Sequence, residues 1–217
     1  ELGIFKALAR HGADGMLVRN LAGLDYFAQQ SIASVADFSL NAANEMTVDL
    51  LRQRGAARVT ASYDLNREQL PEMVRHAPVE SLEVVIHQHM PMFHMEHCVF
   101  CAVLSPGTNK TNCGRPCDRH EVRLRDRVGV EHPLQADVGC RNTVYNGTAQ
   151  SGAEAVKALL DLGVRHFRVE LPVDDRPERL RRCVDLYRDL LAGRVSGQQV
   201  WTALKAVNRV GVTRGTL

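Results

Sequence analysis

No stretch of this 217-residue chain is apolar for the roughly 18 residues that a bilayer-crossing helix needs, and its first residues lack the charged-then-apolar pattern of a secretory signal. Excess charge is missing too. The 27 Lys and Arg stand against 25 Asp and Glu, a formal net charge of +2. So slight a balance implies no nucleic-acid partner by charge alone and leaves RNA to be decided by local patches. Two hydrolase signatures are also absent. There is no H-E-x-x-H helix for a zinc peptidase, since Glu96-His97 stands in a different arrangement, and no G-x-S-x-G turn for a serine nucleophile. These absences make a cytoplasmic protein with no membrane partner the expectation. With 45% hydrophobic and 24% charged residues, the composition is that of a globular chain with a substantial core.

Six cysteines in a reducing compartment read as metal ligands or reactive thiols before disulfides. Their placement supports metal. Cys98, Cys101, Cys113, Cys117 and Cys140 share one stretch, whereas Cys183 sits alone in a helical run, where a core-facing role is expected.

Outside that stretch a local pattern recurs: a helical run closes at a glycine, and a short apolar strand begins a few residues later. The copies span residues 8–18, 50–61 and 159–169, with Gly12, Gly55 and Gly163 suited to the left-handed closing position. Two further strands fit at 35–40 and 82–87, and helices at 43–54 and 68–76. Repeated βα units predict a parallel sheet with right-handed crossovers, and a TIM-barrel-like domain is the preferred form. The polar residues at the strand ends, Asn20, Asn41, Tyr63 with Asp64, His87 and Glu170, would then stand where barrel enzymes place their chemistry, or simply mark where strands stop. Only about five strands are legible against the eight of a full barrel, so a partial barrel is expected, completed by the remainder of a longer chain or by a partner subunit. Two amphipathic helices are expected in the tail, at 177–191 and 198–207, with Trp201 a packing residue. The expected division is 1–89 for the first βα units, 90–150 for an insert, and 151–217 for the last unit and the tail.

The insert carries the chemistry. Cys98 and Cys101 form a C-x2-C pair, Cys113 and Cys117 a C-x3-C pair turned by Gly114 and Pro116, and Cys140 follows a predicted β-hairpin at 121–137. Short spacers let two thiolates point the same way, and a small insert with little apolar content gains stability from a bound metal. His87, His89, His94 and His97 lie close by, but hydrogen bonding is the commoner role for a strand-end or loop imidazole. Spacing alone admits structural zinc or an iron–sulfur cluster, since thiolates hold both.

These residues resemble those of peptidase family U32. The likeness rests on Phe93-His94-Met95-Glu96-His97-Cys98, Cys101-Ala102-Val103-Leu104-Ser105, Cys113-Gly114-Arg115-Pro116-Cys117 and Asp137-Val138-Gly139-Cys140. Gly12-Ala13-Asp14-Gly15 leading to Val18-Arg19-Asn20, and Phe38-Ser39-Leu40-Asn41, support it. Characterised relatives carry a 4Fe–4S cluster on four cysteines and take part in hydroxylating RNA bases or the ubiquinone ring. The resemblance therefore implies such a cluster here, and RNA or a small quinone-like molecule as substrate. By position it implies Cys98, Cys101, Cys113 and Cys140 as ligands, with Cys117 the fifth candidate. The family usually spaces its first two cysteines more widely, which sets Cys98 and Cys117 in competition for the last place. In this reading His87 or Glu96 moves protons, while Arg115 and Arg141 attract an anionic substrate or serve as surface salt bridges. The family's older label implies an alternative, a metal- or cysteine-dependent peptidase. A zinc-holding structural module is the third.

Overall fold

Helix, glycine and strand follow one another along the chain as the pattern predicts. The computed structural model describes residues 2–171 and 176–208. The elements run α1 (Leu2–Ala9), β1 (Met16–Val18), α2 (Leu21–Gln29), β2 (Ser34–Ala36), α3 (Glu45–Gln53), β3 (Ala56–Thr60), α4 (Gln69–His76) and β4 (Leu82–Gln88). Then come β5 (Pro91–Met95), α5 (Val99–Leu104), β6 (Val122–Arg125), β7 (Glu131–Ala136) and β8 (Asn142–Tyr145). The last elements are β9 (Gln150–Ser151), α6 (Val156–Asp161), β10 (His166–Val169), α7 (Pro177–Leu191), α8 (Gly197–Leu204) and β11 (Val207–Asn208). Gly12, Gly55 and Gly163 all take positive φ, at 65°, 99° and 98°. At Gly55 the requirement is doubled, because a Cβ there would also stand 2.6 Å from that of Ala28. Asn20 and Asn44 start α2 and α3, their side chains accepting the N–H of Gly23 at 2.7 Å and of Thr47 at 2.8 Å.

Two compact units divide the chain, one built up to Gln88 and again from Gln150, the other His89–Ala149. In the first, β1, β2, β3 and β4 pair in parallel in that order, and β10 also lies parallel to β4. The last two residues of β4 pair antiparallel with β9, which β11 joins in parallel, giving a seven-stranded sheet. The sequence reading of about five strands falls short because β9 and β11 are two residues each, too short to carry a periodic signal. The strand expected at 35–40 is also cut short. After β2, Asp37 turns the chain into a 3-10 turn (Phe38–Leu40) that ends on Asn41 in the left-handed region, φ 55°. Leu24, Val48, Leu51, Val59, Leu82, Ile86 and Leu159 fill the core, and Cys183 on α7 is buried among them, as expected. Both tail helices form. A capping box between Ser196 and Gln199 starts α8, which stops at Leu204 because Lys205 turns left-handed. Among the described residues, no helix is long and apolar enough to cross a membrane.

The second unit is an antiparallel sheet in the order β5, β8, β7, β6. Its β6–β7 hairpin is turned by Asp126, whose Oδ1 accepts the N–H of Val128 and of Val130, both at 2.9 Å. The hairpin itself carries no cysteine. Within the expected cysteine-rich insert, the hairpin read at 121–137 is part of a four-stranded sheet, and the cysteines stand on α5 and on the loops beside β6 and β8. The reason is geometric: strand residues alternate faces, while loops can turn several thiols toward one point. Phe100, Leu134 and Val144 form its small buried cluster, with Cys98 and Cys117 packed against them.

Candidate metal centre

The five cysteines of the second unit line a single cleft of about 760 Å³, together with Glu96, His97, Lys110 and Arg115. Cys98 caps α5, its Sγ 3.5 Å from the N–H of Cys101 one turn later. Cys101 is buried on α5, and its thiol reaches the carbonyl of Gly107 at 3.4 Å. The loop that follows is held by short polar side chains. Asn112 Oδ1 accepts the N–H groups of Thr108 and Asn109 at 2.8 and 3.0 Å, and Asn109 Oδ1 accepts that of Thr111 at 2.9 Å. Gly107 is required there, since a Cβ would run into the carbonyl of Asn112. This loop delivers Cys113, whose Sγ accepts the N–H of Arg115 at 3.4 Å.

Cys140 comes from the opposite side. Asp137 Oδ1 accepts the N–H of Gly139 and of Arg141 at 2.8 and 2.9 Å, and the turn it builds places Cys140 at φ 64°. Arg115 is likewise left-handed, at φ 52°. Two non-glycine residues held in this costly region beside one cleft mark a loop set built around a site. Cys101 touches Cys113 and lies within electrostatic reach of Cys98 and Cys140; burial, and then those neighbours, push its thiol above the usual range. Cys117 is pushed up by burial and next by Asp118, whose Oδ1 stands 3.9 Å from its Sγ. Among the described residues, no three histidine, cysteine or acidic side chains are gathered at the spacing of a single ion.

Asn142 is the contributor that spacing arguments missed. Fully buried on β8, its Oδ1 accepts the N–H of Val99 at 2.7 Å and its Nδ2 stands 3.9 Å from Cys98 Sγ. It thus fixes the start of α5 and the first cysteine together. An amide inside a strand two residues after Cys140 was the available signal. Asn142→Leu should cost about 1–3 kcal/mol, because the Val99 N–H loses its acceptor, and urea unfolding measures it.

The remaining sequence-predicted residues are dispersed. Glu96 and His97 line the cysteine cleft, while His94 bonds Thr143 at 2.9 Å and His89 the carbonyl of Asn146 at 2.7 Å. Arg115 lines the cleft in an ion pair with Asp118 at 2.9 Å, and Arg141 pairs with Asp137 at 2.8 Å. In the first unit His87 is buried, its Nδ1 3.2 Å from the Tyr187 hydroxyl. Of the strand-end residues, Asn20 is a helix cap, Asn41 accepts from Ser62 at 2.8 Å and Asp64 is exposed. Tyr63 and Glu170, 107 positions apart, are bonded to each other at 3.1 Å.

The family model described as peptidase family U32 matches residues 3–212. The chain belongs to peptidase family U32. The match runs through both units of this U32 chain, so the cleft and the parallel sheet fall together within the family's span. No match was found among curated proteins or among solved structures.

Proposed function

We propose that this U32 chain is an iron–sulfur protein that hydroxylates an unsaturated ring, in an RNA base or a quinone-type molecule. The observation that carries the reading is the convergence of five cysteines from four separate loop and helix positions on one cleft. The donor set fits the group. Thiolates are the ligands such clusters take, two of the sulfurs lie within reach of backbone N–H groups, and a unit with a small buried core gains a scaffold from a bound cluster. Four of the five would hold it, and Cys98, Cys101, Cys113 and Cys140 are the set proposed: Cys101 has the other three as neighbours, while Cys117, within reach of Cys98 and Cys113, also meets the Asp118 carboxylate. When bound, the cluster would supply the one-electron chemistry that side chains lack. Around it, Glu96 and His97 can hold or pass protons at the cleft, and Arg115 and Lys110 place positive charge beside it for an anionic substrate. The parallel sheet of the first unit is read as part of a barrel-like domain.

Peptide hydrolysis, which the family name suggests, would need one activated thiol beside a base. Glu96 and His97 line the same cleft, but several cysteines there have one another as neighbours, which suits a shared metal group better than one lone nucleophile. Anaerobic purification separates the readings. A brown protein with broad visible absorbance and about four irons per chain is the expected result; a colourless chain holding one zinc would refute it.

A further inference from the structure

Five strands' worth of separation in sequence is closed at one place in the first unit, by charged side chains that the cluster reading leaves unused. Arg19 follows β1, Asp37 follows β2, Tyr63 comes after β3, Arg168 lies in β10 and Glu170 follows it. Asp37 sits between two arginines, Arg19 Nε at 2.8 Å and Arg168 Nη2 at 2.6 Å. Arg168 also reaches Glu83 on β4 and Glu170, each at 3.2 Å. The Tyr63 hydroxyl donates to Glu170 Oε1 at 3.1 Å, and its ring is fixed by stacking on Phe38 at 4.2 Å. Residues from the ends of several parallel strands meeting at one point are what α/β enzymes use for catalysis.

The three carboxylates of this group are not alike. The Asp37 side chain is 0% exposed and Glu83 9%, whereas Glu170 is 33% exposed. The Tyr63 hydroxyl donates to Oε1, Arg168 makes its nearest approach to the same oxygen, and no hydrogen bond among the described residues engages Oε2. A carboxylate one-third exposed, with one oxygen bonded and the other without a hydrogen bond among the described residues, keeps an acceptor for a ligand.

We propose that Glu170 is a catalytic proton acceptor, taking a proton through Oε2 from an N–H or O–H of a ring bound at the strand ends, with Tyr63 and Arg168 as positioning residues acting through Oε1. The inference rests on the ring-hydroxylation reading and names a residue for it. In this step the ligand's N–H or O–H bond breaks, its electron pair stays on the ring, and the proton forms a new O–H bond at Oε2; no electron is exchanged. The surroundings suit an acid–base role. Burial holds the Glu170 carboxyl above its usual range and the Asp37 charge adds to this, while Arg168, the Tyr63 hydroxyl and Arg19 act in the opposite sense.

Carbon-13 NMR of the cluster-loaded full chain tests it, with the Glu170 carboxyl signal assigned by its loss in Glu170→Gln. Uridine and a dimethoxy-methylhydroquinone serve as ring probes. A saturable shift of that signal with either probe is expected, uridine marking a base substrate and the hydroquinone a quinone-type one. A signal unmoved by both overturns the proposal. Tyr63→Phe removes a donor to the ionised form and should move the Glu170 titration midpoint upward; an unchanged midpoint would count against positioning by Tyr63. Glu170→Gln should raise the thermal midpoint at pH 8, where the native state holds a desolvated charge, and leave it unchanged at pH 4, where the carboxyl is already protonated. A loss of stability at pH 8 would instead assign Glu170 a structural ion pair. Iron content in the same samples keeps the two readings apart, since a chain without iron refutes the cluster while leaving the carboxyl response to be scored by itself.

Discussion

If the chain holds the proposed cluster, the Cys113→Ser variant, purified without oxygen, should come off the column colourless, with iron falling from the expected about four per chain to under one. Its sulfur touches Cys101 and lies 3.4 Å from the N–H of Arg115, and it is delivered by the 105–112 loop. That loop is pinned by Asn112 and Asn109 through backbone bonds of 2.8 to 3.0 Å. Cys98→Ser, Cys101→Ser and Cys140→Ser should give the same loss. Cys117→Ala should keep its colour, because Cys117 meets Asp118 and packs against Phe100, Leu134 and Val144. Cys183→Ala, in the core of the other unit, is the control for general destabilisation. Iron retained in full by Cys113→Ser would refute the ligand set. Colour lost in Cys117→Ala but kept in Cys101→Ser would exchange those two residues.

The thiols were legible in the sequence because short spacers and turn residues report directly on local geometry. Cys98 with Cys101 and Cys113 with Cys117 each define a turn by themselves, and Cys183 within a helical period announces a core position. The glycine that closes each helix was legible for the same reason, since positive φ is a local demand. What escaped was contact across distance. Nothing within a few residues of Asn142 says that its amide will cap α5, 43 positions earlier at Val99. Nor does the neighbourhood of Arg168 point to Asp37, 131 positions away. Tyr63 and Glu170 were singled out as polar strand ends, but so were Asn20 and Asn41, which serve as a helix cap and a turn. The sequence places such residues at strand ends; tertiary closure decides which of them meet. The short strands β9 and β11 were missed on similar grounds, as two residues acquire strand character only from the neighbour they pair with.

Arg168→Met should be the most destabilising single change in the first unit, lowering stability by about 3–5 kcal/mol, the usual cost of removing one partner from a buried ion pair. Asp37 is the reason. Its side chain is 0% exposed, and without Arg168 it keeps the Phe38 backbone N–H and one cation, Arg19, whose own side chain is 61% exposed and shares its charge with water. Glu83 would lose the contact at 3.2 Å as well, leaving Arg58 at 3.5 Å and the Thr60 hydroxyl at 3.1 Å. The cost should depend on pH in a definite direction. Burial acts to raise the Asp37 carboxyl, but Arg168 and the other donors outweigh it and hold the folded-state value below the usual 3.8. A depressed carboxylate contributes stability above its unfolded pKa and loses it as the pH falls through the folded one. In Arg168→Met the depression is relieved, so Asp37 protonates at a higher pH and its penalty disappears earlier on acidification. The gap in urea midpoint between wild type and variant should therefore be widest near neutral pH and close below about pH 4. A gap that stays constant down to pH 3 would mean that lost packing of the arginine stem, and not the stranded charge of Asp37, carries the effect.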